Sequence, residues 1–162
     1  MTEEPAAPLT HLDADGRPRM VDVSAKPITN RVAVATGCVR VSPAAAQAVA
    51  AGRGPKGDVL AVARIAGIQA AKRTWELVPL CHPVAITGID VAAELDGEVI
   101  RLEALVRTAD RTGIEMEALT AVAVAGLTVV DMVKAVDPGA TIESVRVERK
   151  AGGAGGEWRR PT

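Results

Sequence analysis

The chain has 162 residues, 48% of them hydrophobic, which is enough to bury the core of a single domain. Its formal net charge is −1, with 24% charged residues, so it lacks the positive surplus of proteins that bind long nucleic acids. Any anion that it binds should be small and held locally. Two cysteines and two histidines can form neither a disulfide framework nor a tetrahedral zinc site within one chain, so we expect no bound metal and a reducing compartment.

The predicted core consists of small aliphatic side chains, because the sequence contains two Trp and neither Phe nor Tyr. Such a core is thin, and oligomerisation would help to stabilise it. The N-terminus carries Glu3 and Glu4 ahead of any apolar run, which is the wrong charge pattern for a secretory signal. The longest near-apolar stretch, Ala118 to Val130, is shorter than the roughly 20 residues that span a bilayer. These features favour a cytoplasmic protein in which this stretch is a buried helix.

The first part of the chain predicts an arm, a strand and two helices. Residues 1–18 are rich in Pro, Thr, Asp and Gly without a period, so we expect a flexible arm ahead of one domain over 19–158, with 159–162 as a tail. Residues 32–41 are β-branched and predict a strand. A short helix follows from Pro43 to Gly52. A second helix is expected over 58–77, with Asp58 as its N-cap.

The second part predicts a hairpin, the longest helix and a last strand. Residues 84–95 and 98–107 flank an Asp-Gly pair, which is typical of a β-hairpin. Thr112 and Glu115 match a capping box at the start of a helix that runs to Val136. Residues 141–149 then form a strand. The order strand, helix, helix, strand, strand, helix, strand predicts an α+β, ferredoxin-like sandwich, an antiparallel sheet with helices on one face.

One candidate ligand-binding segment is VPLCHPV, in which two prolines bracket Leu80, Cys81 and His82 between a helix and a strand. A stiff loop that presents these side chains can form one wall of a binding site, because binding groups often lie on rigidly held loops. The alternative is a proline-rich turn with a surface imidazole. A thiol nucleophile is disfavoured, because its base would be its own sequence neighbour.

The longest helix carries acidic residues near its start and an Asp131–Lys134 pair near its end. Asp131 and Lys134 share a helix face. They directly follow a near-continuous apolar run, where charged side chains suggest a functional role. An ordinary surface ion pair is the alternative. Glu117 and Asp131 lie on roughly one stripe but about 21 Å apart. One small ligand cannot easily reach both. The spacing therefore suggests that two copies pack antiparallel, with each site taking residues from both.

Several cations are candidates for phosphate contact. Lys56 lies just ahead of a predicted helix N-terminus, where backbone N–H groups already favour an anion, although a solvated surface lysine is the alternative. The glycine-rich tail KAGGAGG could bring its backbone close to a phosphate, but a short glycine run is weak support. The other candidates are Lys26, Arg31, Arg64, Lys72, Arg73 and Lys150.

Four segments together resemble the cyclic pyranopterin monophosphate synthase family, also called molybdenum cofactor biosynthesis protein C. They are MVDVSAKP, KGDVLAVARIAGIQAAKRTWELVPLCHP, TGIEMEALTAVAVAGLTVVDMVKAV and RKAGGAGGEW. The resemblance covers nearly the whole chain. It implies a ferredoxin-like homo-hexamer, a trimer of dimers with sites at the dimer interfaces. It also implies a lyase that converts a cyclic dihydroguanosine triphosphate, supplied by a radical enzyme, into cyclic pyranopterin monophosphate and diphosphate, without a cofactor.

The resemblance also implies residue roles. Lys56 would be the acid and Lys134 the base, or the reverse, with Asp131 orienting the base. Substrate contacts would come from Leu80, Cys81, His82, Met116, Glu117, Arg31 and Lys150. The chain departs from the family pattern at Ala154, where many members carry a lysine, and at Asp110, where glycine is common. Competing hypotheses are a non-catalytic oligomeric nucleotide-binding module and a structural subunit of a larger complex.

Overall fold

A computed structural model describes residues 12–13, 15–52 and 56–161. Most of the predicted arm, residues 1–11 and 14, lies outside this part, as do residues 53–55 and position 162 of the predicted tail. Within the arm, the described residues form a tight turn. Leu12 pairs with Pro18 in an isolated antiparallel bridge. The Asp13 carboxylate accepts hydrogen bonds from the backbone N–H groups of residues 15 and 17.

The fold is a five-stranded antiparallel sheet with two long helices packed against it. In chain order the elements are β1 (Thr29–Arg40), α1 (Pro43–Ala50), α2 (Val59–Ala71), α3 (Thr74–Leu77), β2 (Ile86–Asp96), β3 (Val99–Asp110), α4 (Glu115–Val133), β4 (Thr141–Ala151) and β5 (Glu157–Arg159). The strand order is β2-β3-β1-β4-β5. Helix α4 lies against β1, β3 and β4, and α2 packs beside it against β2. The predicted α+β ferredoxin-like class and the order of the major elements are confirmed.

The core lies between the sheet and α4 and is built from small side chains, as the composition predicts. Along the central strand β1, alternate residues point toward the helices, and Ala33, Ala35 and Val39 are fully buried. The largest fully buried side chains include Ile100 and Leu102 of β3. Both tryptophans of the chain are exposed by at least a third. The sheet and the helices therefore approach each other closely, without large rings between them.

Short-range signals set most of the element boundaries. The Asp58 carboxylate accepts a hydrogen bond from the Ala61 N–H at 3.0 Å, which confirms the predicted cap of α2. Ser42 caps α1 in the same way, directly before Pro43. Gly97, at φ 61°, makes the tight turn between β2 and β3. The Asp58 cap, two residues after Lys56, fixes the start of α2.

Three boundary predictions are wrong. The capping box of Thr112 and Glu115 does not form, because Ile114 is the N-cap residue of α4 and no side chain caps it. The helix predicted over 58–77 breaks after α2, since Arg73 has non-helical backbone angles and the Thr74 hydroxyl donates to the Ala71 carbonyl. Helix α4 also ends at Val133 rather than Val136, where the chain turns. Strand β5 was not predicted at all.

Helix α4 is long and apolar enough, by length and composition alone, to cross a membrane. Of the relevant window, 56% is buried inside the protein. A helix that covers a sheet in the core passes the same test, so this is weak support for a membrane span. The burial agrees with its prediction as a core helix.

Replacing Gly67 with alanine should destabilise the fold, although the same change in an exposed helix is stabilising. A Cβ at Gly67 would lie 2.9 Å from the backbone oxygen of Ala121, because α2 and α4 touch there. The helices must separate slightly, and overpacking of this kind costs about 1–3 kcal/mol. Urea unfolding gives the difference in the free energy of unfolding. At Gly126 the Cβ would meet only side-chain atoms of Ile142, at 3.3 Å or more, so Gly126→Ala should cost less.

Candidate active site

A carboxylate held by two lysines lies at the C-terminal end of α4. Asp131 belongs to the last turn of this helix, and Lys134 is its C-cap residue. Lys56 comes from the segment just before α2. Its Nζ lies 2.5 Å from Oδ2 of Asp131, while the Nζ of Lys134 lies 2.6 Å from Oδ1. All three predicted catalytic residues therefore meet within one chain. We call this group the lysine–aspartate cluster.

Asp131 stays ionised, because the two lysines donate hydrogen bonds to its carboxylate. These bonds, first from Lys134 and then from Lys56, lower the pKa of Asp131 from 3.8 to about 2. A carboxylate of this kind is a fixed counter-ion and not a proton donor at neutral pH. The three side chains remain about half exposed within a single chain. The cluster thus orients two ammonium groups toward open space.

The three predicted wall residues and the two expected contacts at the start of the helix meet in a second place, at the N-terminal end of α4. Leu80, Cys81, His82, Met116 and Glu117 all line a cavity of about 570 Å³. The loop after α3 supplies the first three, and the first turn of α4 supplies the others. The predicted binding wall is therefore a real concave surface, which we call the wall cavity.

A segment ahead of β1 forms the opposite side of this cavity. The imidazole Nε2 of His82 lies 2.8 Å from the backbone oxygen of Val21, which fixes the ring against this segment. Val21, Val23 and Lys26 line the same cavity. The sequence grouped Lys26 only with scattered cations and gave Val21 and Val23 no role. The signal that could have found them was the position of all three within the segment MVDVSAKP.

Burial controls the protonation of two groups in the wall cavity. Glu117 is only 4% exposed, and burial is the main reason that its pKa rises from 4.5 to about 7, with nearby Glu115 adding to the effect. Burial also raises the pKa of the Cys81 thiol, and Glu117 adds to that shift. At neutral pH Cys81 is therefore a thiol rather than a thiolate, which argues against a nucleophilic role. Glu117 can both donate and accept a proton near pH 7.

Glu117 should make the protein less stable as the pH rises. Its pKa is higher in the folded than in the unfolded chain, so the protonated carboxyl contributes to the free energy of unfolding. This contribution is fully present below pH 4.5 and is lost as the pH rises through about 7. Between pH 5 and pH 8 the free energy of unfolding of the wild type should fall by about 2 kcal/mol more than that of Glu117→Gln, whose side chain cannot ionise. Urea unfolding of both proteins at the two pH values measures this. Parallel losses would show that Glu117 ionises normally.

The two further basic residues lie beside the wall cavity. Arg31 donates from Nε to the carbonyl of Asp110 and from Nη2 to the carbonyl of Arg111, both at 3.0 Å. The Nζ of Lys150 lies 2.9 Å from a carboxylate oxygen of Glu115. Both cations line a small cavity of about 140 Å³ next to the start of α4. They belong to the wall-cavity end of the molecule and not to the lysine–aspartate cluster.

Within one chain, the wall cavity and the lysine–aspartate cluster are far apart. Glu117 and Asp131 lie near opposite ends of the continuous helix α4, which corresponds to about 21 Å along its axis. The wall cavity and the lysine–aspartate cluster of one chain therefore lie at opposite ends of this helix. In the part of the chain that the structure describes, no group of three or more His, Cys, Asp or Glu side chains is arranged to hold a metal ion.

The fold and these groups define an α+β protein with a lysine–aspartate cluster at one end of its longest helix and a cavity at the other. The model of the MoaC family matches residues 20–153, and the chain belongs to this family.

Curated relatives match nearly the whole chain. This chain is 58% identical over 156 residues to the cyclic pyranopterin monophosphate synthase of Thermomicrobium roseum. The match covers 95% of this chain and 94% of that protein. The enzyme of the same name from Streptomyces coelicolor is 54% identical over 158 residues, with 98% and 93% covered. Cyclic pyranopterin monophosphate synthase 2 of Mycobacterium tuberculosis is 53% identical over 152 residues, with 94% and 91% covered. The resemblance noted from the sequence is thus confirmed.

Proposed function

We propose that this protein converts a cyclic dihydroguanosine triphosphate into cyclic pyranopterin monophosphate and diphosphate, in molybdenum cofactor biosynthesis. The observation that carries the proposal is the lysine–aspartate cluster, in a chain more than half identical to enzymes named for this product. The substrate would come from a radical enzyme. The protein would act as a lyase in the cytoplasm and use no cofactor.

The reaction needs proton transfer at two stages. The purine-derived ring is opened and closed again, and a sugar hydroxyl then attacks the α-phosphorus. That attack forms one P–O bond and breaks another, so that diphosphate leaves, while the hydroxyl proton passes to a base. One ammonium group and one neutral amine on the same ionised carboxylate suit these steps, because the carboxylate orients both lysines and the amine can take the hydroxyl proton. We assign Lys56 as the acid and Lys134 as the base, and the roles can be exchanged.

The groups of the wall cavity would bind the substrate. Leu80, Cys81, His82, Met116 and Glu117 would contact its ring system, since they surround a concave, partly apolar volume. Arg31 and Lys150 would contact its phosphates or its base. A protonated Glu117 can donate a hydrogen bond there, which an ionised carboxylate cannot do.

We further propose that a complete site takes its two parts from two copies of the chain. The lysine–aspartate cluster of one copy would face the wall cavity of another, with the two α4 helices antiparallel. Ile65 of α2 and Leu127 of α4 are 61% and 59% exposed, which is the kind of surface that a second copy would cover. Three such dimers would make a hexamer. Light scattering that shows a stable and active monomer would contradict this assembly.

The direct test is to incubate the purified protein with the product of the radical enzyme. We expect a pterin and diphosphate in equal amounts, detected by fluorescence after oxidation and by a coupled diphosphate assay. Lys134→Ala protein is the control for turnover by a contaminant. A non-catalytic nucleotide-binding module would instead bind the triphosphate without releasing diphosphate. Binding without turnover would therefore overturn the proposed reaction.

A further inference from the structure

The loop between the last two strands crosses directly over the side chain of Arg31. This glycine loop, residues 152–156, joins β4 to β5 and is closed by a hydrogen bond from the Gly152 N–H to the Gly156 carbonyl at 3.1 Å. Gly152 and Gly153 have φ of 108° and 71°, which side-chain-bearing residues rarely adopt. The turn that they make brings the loop backbone down onto β1.

The closeness of this approach leaves no room for side chains at two positions. A Cβ at Gly153 would overlap the guanidinium of Arg31, with the Cζ atom at 2.8 Å. A Cβ at Gly152 would overlap the backbone oxygen of Asn30. The two clashes differ in kind. At Gly152 the strand itself must move, whereas at Gly153 only the end of a long side chain must move.

The guanidinium is held from the other side as well. Its Nε and Nη2 atoms donate to the carbonyls of Asp110 and Arg111, at the end of β3. The group is therefore clamped between those carbonyls and the glycine loop. Its third nitrogen, Nη1, takes no part in these two bonds, and it is one of the atoms that a Cβ at Gly153 would meet.

We propose that Gly153 is a positioning residue for Arg31. Because it carries no side chain, the loop can pack on the guanidinium and hold it beside Lys150, at the cavity of about 140 Å³, in the orientation that receives an anionic group of the substrate. This inference rests on the proposed function, which assigns Arg31 to substrate contact. It adds that Gly153 acts through Arg31, since Gly153, unlike Gly152, Gly155 and Gly156, does not line this cavity.

The test is Gly153→Ala, with Gly97→Ala as the matched control. A Cβ at Gly97 meets nothing within 4 Å, and Gly97 shares the positive φ of Gly153, at 61°. It lies in the turn between β2 and β3 and lines neither the wall cavity nor the cavity beside Arg31, so it controls for a methyl group at positive φ. Gly153→Ala should raise KM about tenfold and change kcat less than about twofold, since Arg31 binds the substrate before and during reaction. The control should keep the wild-type KM.

The dependence on Arg31 is tested in the Arg31→Ala background. There the wild-type and Gly153→Ala loops should have the same KM, because the residue that the loop positions is gone. An undiminished effect of Gly153→Ala in this background would overturn the proposal. So would a wild-type KM in Gly153→Ala or in Arg31→Ala.

A structural measurement keeps the test independent of the reaction. The Nε–H proton of Arg31, identified in a nitrogen–proton spectrum as the signal missing from Arg31→Lys, should exchange slowly with water in the wild type and in Gly97→Ala. It should exchange rapidly in Gly153→Ala. If the wild type proved to have no synthase turnover, the proposed function would fail, and this exchange would still decide the positioning. Slow exchange in Gly153→Ala would overturn it.

Discussion

Lys56→Ala and Lys134→Ala should each lower kcat by at least about a hundredfold, the usual contribution of a positioned acid or base. Each substitution removes one of the two ammonium groups that Asp131 orients. Asp131→Asn should also lower kcat, because a neutral amide no longer holds both lysines in place. Steady-state kinetics with the cyclic triphosphate measures the effect.

The fold should survive these changes, because the three side chains are about half exposed and lie outside the core. Light scattering and thermal unfolding of each variant check this. Lys72→Ala is the matched control and should turn over normally. Lys72 is one of the candidate cations, but it lies exposed at the end of α2 and lines neither the wall cavity nor the small cavity beside it. Wild-type turnover in either lysine variant would remove that lysine from the proposed mechanism.

Mixing two inactive variants should restore activity only when their defects lie in different parts of the site. In the two-copy arrangement, a dimer of one Lys134→Ala chain and one His82→Ala chain has one intact site. Its cluster comes from the His82→Ala chain and its wall cavity from the Lys134→Ala chain. Random reassembly of equal amounts should therefore recover about a quarter of the wild-type activity. The mixture is made by refolding the two chains together and is assayed for diphosphate release.

A mixture of Lys56→Ala and Lys134→Ala chains provides the control. Both lysines bind the same Asp131 of their own chain, so every site in this mixture keeps one damaged cluster and none should recover. Activity in this mixture would show that the two lysines of a site come from different chains. Failure of the first mixture, with oligomers intact, would show that each site is built within one chain.

Most of the fold could be predicted because its signals are local. A cap at Asp58, a proline at the start of α1 and a glycine in the hairpin turn each act within a few residues. The wrong predictions concern features that depend on contacts between residues distant in the sequence. Glu115 matched a capping box, yet its carboxylate binds Lys150 of β4, which is distant in sequence. The short strand β5 exists because it pairs with β4, a partner that no local pattern reveals.

The site was predictable in its parts but not in its arrangement. Spacing placed Asp131 and Lys134 on one helix face, and their ion pair confirms this. Sequence alone could not say that Lys56 binds the same carboxylate, since that contact depends on how α2 packs against α4. The pKa of Glu117 was equally hidden, because it reflects burial by residues from other segments.

The position of β1 has a consequence for how the chain folds. This strand is the first to be synthesised, yet it lies at the centre of the sheet, between β3 and β4. Ala33 pairs with Val106 on one side and with Lys150 on the other, so its second partner lies more than 100 residues further along the chain. Folding dominated by such long-range pairing is slow. On the ribosome the sheet can be completed only after β4 has been synthesised. Chains truncated before β4 would therefore expose the unpaired edge of β1 and the part of α4 that packs on β4, and would aggregate.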